Sequence, residues 1–203
     1  MVCATDATHE DTIVAASIVS LAAYYQTLDD PNWRDWLRGR FTKTVRRAKN
    51  RRWVAAQAKA SATVVWGTGQ ASAWPPALYS DYPPFLSRLQ VSGTDFPRTS
   101  IASRPVVPSP HPRERAVSDA DACLCLWVWD NLTTGKACAQ AAHAVWMWAL
   151  DTEPETVAAW VDRPQVALHL VGKVPAVESG WVVTDAGFTE VSPGTVTAAA
   201  TWE

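Results

Sequence analysis

The chain has 203 residues, 48% of them apolar and 19% charged, with twelve tryptophans against four phenylalanines and four tyrosines. This balance excludes a charge-rich disordered chain, a collagen, a coiled coil and a disulfide-stapled miniprotein, and it leaves room for one or two domains with a real core. The net charge of −2 hides an asymmetry: residues 1–117 hold fifteen Lys/Arg against nine Asp/Glu, while residues 118–203 hold three against eleven.

Halves of opposite sign, +6 and −8, point to two units with different jobs. A proline-dense stretch separates them, with Pro97, Pro105, Pro108, Pro110 and Pro112 in close succession. Proline at that density favours extended, semi-rigid chain. The expected organisation is therefore a helix-rich α+β unit over 1–95, a linker over 96–117 and an α/β unit over 118–203. No internal repeat is visible. No apolar run reaches the roughly 18 residues that cross a bilayer, so no membrane contact by a spanning helix is expected. The longest, from Ile13 to Tyr25, follows Asp6, Glu10 and Asp11 rather than a basic segment, which argues against a signal peptide. Cys3, Cys123, Cys125 and Cys138 show no C-x-x-C spacing. They read either as reduced, buried small hydrophobes in a cytoplasmic protein or as a metal or redox site completed by His143.

Along the first unit, a helix is expected from about Asp11 to Gln26. Asp29, Asp30 and Pro31 break the chain, and a second helix starts near Trp33. Its sequence, WRDWLRGRFTKTVRRAKNRRW, places nine basic residues between Arg34 and Arg52, with Trp36, Leu37, Phe41, Val45 and Ala48 recurring every three to four residues. This spacing predicts one amphipathic helix with a basic face. Such a face is a solvated surface, a phosphate-backbone contact or a membrane or acidic-partner contact; Arg38, Arg40, Lys43, Arg46 and Arg47 are the candidate RNA-binding residues. Short strands are expected at 62–66 and 70–74, and a short helix at 84–89.

The second unit reads more sharply. Leu124 to Trp129 is an apolar strand stopped by Asp130 and Asn131. Thr133 or Thr134 caps a helix over 135–150 in which Lys136, Gln140 and His143 are spaced to share one face. Lys136 falls in the first turn, where free amides and the helix dipole already favour an anion. The bland alternative is a surface lysine, a glutamine reaching backbone and a core histidine. A helix over 153–161 and strands at 165–171, 180–184 and 195–202 complete a small mixed four-stranded sheet with helices packed on it. Trp127, Trp129, Trp146 and Trp148 serve as core or as a homodimer face.

The run from Leu132 to Ala144, with Gly135, Lys136, Ala139, Gln140, His143 and Ala144 in register, resembles the G-K-x-x-A-Q-x-x-H-A helix start of the type-2 peptidyl-tRNA hydrolases. The run from Asp185 to Thr197 (DAGFTEVSPGTVT) resembles the same family's closing segment, and the N-terminal unit resembles an extension of actinobacterial members. The resemblance implies metal-independent hydrolysis of the ester of peptidyl-tRNA, with tRNA as partner and no cofactor. By position it implies catalytic roles for Lys136, Asp185, Thr189 and Thr197 and supporting roles for Gln140 and His143. The alternative is an inactive RNA- or protein-binding module of the same fold. Two departures stand out: Thr134 occupies the place of a second lysine, and only residues 172–179 join the second and third strands, where the family has a helix.

Overall fold

The computed structural model describes residues 1–39, 41–91, 95–99, 122–186 and 190–203. Its described residues form a mixed α/β fold of two four-stranded sheets and six α-helices. In the first half, β1 (Val2–Ala4) leads to α1 (His9–Gln26), α2 (Asn32–Arg38), β2 (Arg46–Ala48), α3 (Asn50–Gln57), β3 (Ala62–Trp66), β4 (Gly69–Ala73) and α4 (Pro84–Ser87). In the second half, β5 (Leu124–Trp129) leads to α5 (Thr134–Leu150), α6 (Pro154–Asp162), β6 (Val166–Val171), β7 (Trp181–Thr184) and β8 (Val196–Trp202).

The two sheets share one topology. The first runs β2-β1-β4-β3 and the second β6-β5-β8-β7. In each, the first two strands of the half pair in parallel, and the last strand pairs antiparallel with both the first and the third. The chain therefore builds the same arrangement twice, a repeat that the sequence does not display. This pairing also explains the short 172–180 link. Its flanking strands, β6 and β7, are not partners; they lie on opposite edges, three strand spacings or about 14 Å apart. The link is an extended strap to the far edge, and the corresponding stretch of the first half carries α3.

Between the sheets lie α1 and α5. Helix α1 packs on β3 and β4 and against α5, while α5 packs on β5, β7 and β8. A helix covered on both sides must be largely apolar all round, and in α1 every residue from Thr12 to Ala23 is buried, with Thr12, Ser17 and Ser20 the polar ones among them. Ala15, Ala16 and Ala23 on α1 and Ala137, Ala141 and Ala144 on α5 are fully buried in the one apolar cluster that contains both halves. Trp146 of α5 is the largest bridge. It donates to the Ser20 hydroxyl of α1 at 2.8 Å, and its ring meets Tyr24, Trp33, Trp36 and Phe41 at centroid distances of 5.0–5.7 Å. Trp148 is buried as well, against Trp160 and Trp202, whereas Trp127 and Trp129 are only half-buried.

The expected continuous helix from Trp33 to Trp53 does not form. Helix α2 stops at Arg38, with the Gly39 amide donating back to Trp36. Phe41 then takes a left-handed backbone (φ 55°), and residues 46–48 extend to pair with β1. The periodic apolar residues all point inward nonetheless, but from three different elements. Pairing with β1 wins over a helical pattern that Gly39 had already weakened. The start of the proline-rich stretch docks between the halves: Pro97 O accepts from the His9 amide at 2.8 Å, and the Phe96 amide donates to the Thr134 hydroxyl at 2.8 Å. Residues 100–117 of the expected linker lie outside the described residues.

A close backbone approach joins α1 to its sheet at Gly69, where an added Cβ would sit 2.3 Å from the Asp11 carbonyl oxygen. Gly172, in contrast, has open space around the equivalent position. Gly69→Ala is therefore expected to cost about 1–3 kcal/mol in urea unfolding, and Gly172→Ala less than about 0.5 kcal/mol. Equal midpoints for the two variants would contradict this packing.

Candidate functional site

The apolar strand β5 delivers the chain to a tight turn, and Thr133 begins α5 from an extended backbone. Lys136 follows in the first turn. From the opposite side, β7 ends at Thr184, and Asp185 is pinned in a backbone ring: its amide donates to Thr195 O at 2.8 Å and its carbonyl accepts from the Gly194 amide at 2.9 Å. These two frames bring Lys136 Nζ to 2.5 Å from Asp185 Oδ2. Gln140, one turn further along α5, donates its amide to the same oxygen. Asp185 is only 6% exposed. A buried ion pair of this kind survives only when further hydrogen bonds satisfy it, and Gln140 supplies one.

The other expected site residues fall in different places. His143 shares the α5 face but reaches toward the first half, with Nε2 donating to Phe41 O at 2.9 Å. That bond leaves Nδ1 as the bare acceptor, buried and without a partner among the described residues. Burial, and next the nearby Lys43, pushes its imidazole down to about 4. Thr197 is fully buried, and its hydroxyl donates to Val183 O of β7 at 3.4 Å, so it ties strand to strand. Thr189 lies outside the described residues.

Two residues that the motif reading did not single out hold the helix start. Glu190 accepts from the Thr133 amide at 3.0 Å and from its hydroxyl at 2.5 Å, which places a carboxylate at the positive end of α5. Glu190 sits inside the closing segment, five residues from Asp185, and that proximity was the available signal. Arg98 donates to the carbonyls of Asp130 and Leu132 and so clamps the turn before α5. Thr134 is fully buried and serves the seam. Besides the Phe96 amide, its hydroxyl meets His9 Nδ1 at 2.9 Å.

The repeated topology allows a comparison of helix starts. In the first half, the β3–β4 turn meets the first turn of α1 as Asp185 and Glu190 meet α5. There Asp11 accepts from the amide and hydroxyl of Thr68, at 2.8 and 2.7 Å. An acid and a hydroxyl thus occupy the place of the lysine and its carboxylate. Among the described residues, a lysine–carboxylate pair at the start of a sheet-covered helix is found in the second half alone.

The five basic residues expected to bind RNA do not share a helical face. Arg38 is exposed, Arg40 lies outside the described residues, and Arg47 is half-buried. Arg46 is buried and donates to Leu89 O at 3.0 Å. The Lys43 ammonium is buried above the rings of Phe41 and Trp36, and burial lowers its pKa well below the usual lysine range. The proposed cysteine–histidine quartet is not assembled either. Cys138 lies beside Cys3 and Thr12 O, whereas Cys123 and Cys125 lie near Glu203. Among the described residues, no group of three or more His, Cys, Asp or Glu side chains is placed to hold a metal ion, and no helix is long and apolar enough to cross a membrane.

An open groove of about 910 Å³ runs between the 172–177 strap and the second sheet, lined by Trp129, Val174, Val177, Val182 and Val196. It also reaches Thr195, the backbone partner of Asp185. No protein-family model, curated protein or solved structure matches the chain.

His143 and His9 are both held neutral by burial, each with its imidazole pushed down from 6.5 to about 4. The unfolded chain therefore binds their protons first as the pH falls. Their contribution to stability is complete above about pH 6.5 and is lost on descent toward pH 4, by up to about 3 kcal/mol for His143. Urea unfolding between about pH 7 and pH 4 should show this loss, and His143→Gln should flatten it. An identical slope in the variant would contradict the assignment.

Proposed function

We propose that the second half hydrolyses the ester joining a peptide, or an N-blocked aminoacyl group, to the terminal ribose of tRNA. The observation that carries the reading is the convergence of Lys136, Gln140 and Asp185 at the first turns of α5. The resemblance of the two segments that meet there to the type-2 peptidyl-tRNA hydrolases supplies the substrate class.

The chemistry asked of these groups is modest. Asp185 orients a water and takes its proton as the water attacks the ester carbonyl, then returns that proton to the ribose oxygen as the ester C–O bond breaks. Lys136 stands beside it to stabilise the oxyanion that develops, and Gln140 fixes the carboxylate so that little reorganisation is needed. Thr197 acts by holding β7 to β8 behind Asp185, a positioning role rather than contact with the ester. The apolar strap groove beside Thr195 suits the acyl chain. With the second half acidic, attraction for the tRNA backbone comes from the first half, where Lys49, Arg51 and Arg52 stand exposed at the start of α3.

A second reading, an RNA- or protein-binding module without turnover, is favoured by one observation. Lys136 and Gln140 both engage the same oxygen of a carboxylate that is almost wholly buried.

Release of tRNA from N-blocked aminoacyl-tRNA separates the two. Wild type should turn over, and Lys136→Ala and Asp185→Ala should each lose a factor of about 10²–10⁴. Background activity in all three, with unchanged tRNA affinity, would leave the binding module. Replacing Lys49, Arg51 and Arg52 together with glutamine should weaken tRNA binding and reduce its salt slope by about 0.7–0.9 for each phosphate no longer neutralised. An unchanged slope would remove α3 from the interface.

A further inference from the structure

A separate cavity of about 120 Å³ lies in the first half, between α2 and the first sheet. Its walls are unusual for their combination of rings and charge. Trp33, Trp36, Trp74 and Tyr82 line it together with Lys43 and Arg46, and no carboxylate does. The Arg46 side chain and the Lys43 ammonium are both buried. Arg46 is 6% exposed, with one nitrogen given to Leu89 O and its guanidinium 5.5 Å from the centre of the Tyr82 ring. Lys43 Nζ has no hydrogen-bond partner among the described residues and lies 4.7 Å from the centre of the Trp36 ring. Neither forms an ion pair among the described residues.

Burying basic groups without a counter-charge costs several kcal/mol, and ring faces offset only part of it. An anion entering the cavity would supply the missing partner. The enclosed space is smaller than the roughly 150 Å³ that holds a single benzene ring, so it takes a carboxylate and part of one ring, with the rest of the ring lying at the open mouth. A nucleotide or a peptide is too large. Flat aromatic walls select a flat apolar body, and the fork of an arginine selects a carboxylate over a point anion.

We propose that this cavity is a binding site for a small aromatic monocarboxylate, its ring among Trp33, Trp36 and Trp74 and its carboxylate on Arg46 and Lys43. The site is independent of the Lys136–Asp185 pair, because neither residue lines the cavity.

The test titrates the full chain with benzoate and with its neutral isostere benzamide, read by the fluorescence of the lining tryptophans. Benzoate should give a saturable change and bind at least about tenfold more tightly than benzamide. Arg46→Gln, which keeps a donor for Leu89 O, and Lys43→Met should each weaken benzoate by a similar factor while leaving benzamide unmoved. Equal binding of the two compounds by wild type, no saturable response to benzoate at millimolar concentration, or unaltered benzoate affinity in both variants would overturn the proposal. The wild-type comparison decides the matter even if a variant fails to fold.

Discussion

Everything in this molecule hangs on the packing of α1 against α5. Two helices that would each be one-sided in a smaller domain lie back to back, and each must be apolar toward both its own sheet and the other helix. The run of alanines along the seam meets that demand by letting the backbones approach. Trp146 then locks the pair, since its ring needs Tyr24, Trp33, Trp36 and Phe41 around it and its N–H needs Ser20. The same seam draws the two helix starts together, where His9 and Thr134 share a hydrogen bond beside the candidate site. Site and seam are thus one problem in packing.

The repeated topology gives this arrangement a meaning. Each half presents a helix start to the turn between its last two strands, and each fills that meeting point with polar side chains. In the first half the solution is compact and lacks a cation: Asp11 against Thr68, closed by a two-residue turn. In the second half the connection between β7 and β8 is longer, and it brings two carboxylates, Asp185 and Glu190, against Lys136 and Thr133. The longer loop is what sets carboxylates against a lysine and a helix start; the shorter one only fastens a helix.

How much of this could be read in advance differed sharply between the halves. The stretch from Leu124 to Trp202 was legible almost residue by residue, because an apolar run ending at Asp130, a threonine helix start, Pro154 and the Ser192–Gly194 turn each carry a local signal. The Lys136–Asp185 contact was not local, and only the likeness of two distant segments to a known family suggested it. The basic stretch misled because residues spaced every three to four along a helix can equally be inward residues of a helix, a left-handed turn and a strand. Strand β1, three residues long, offers too short a pattern to announce itself. The duplication was invisible for a related reason: topology is shared between the halves while the residues at matching positions, Asp11 and Lys136 above all, are of opposite character.

The back-to-back helices have one further consequence. A half taken alone would turn the whole inner side of its helix to water, so neither half possesses a finished exterior. The chain should behave in denaturation as a single all-or-none body despite its two sheets. Evolutionary drift at the seam is correspondingly constrained, because a methyl group gained on one helix must be given up on the other.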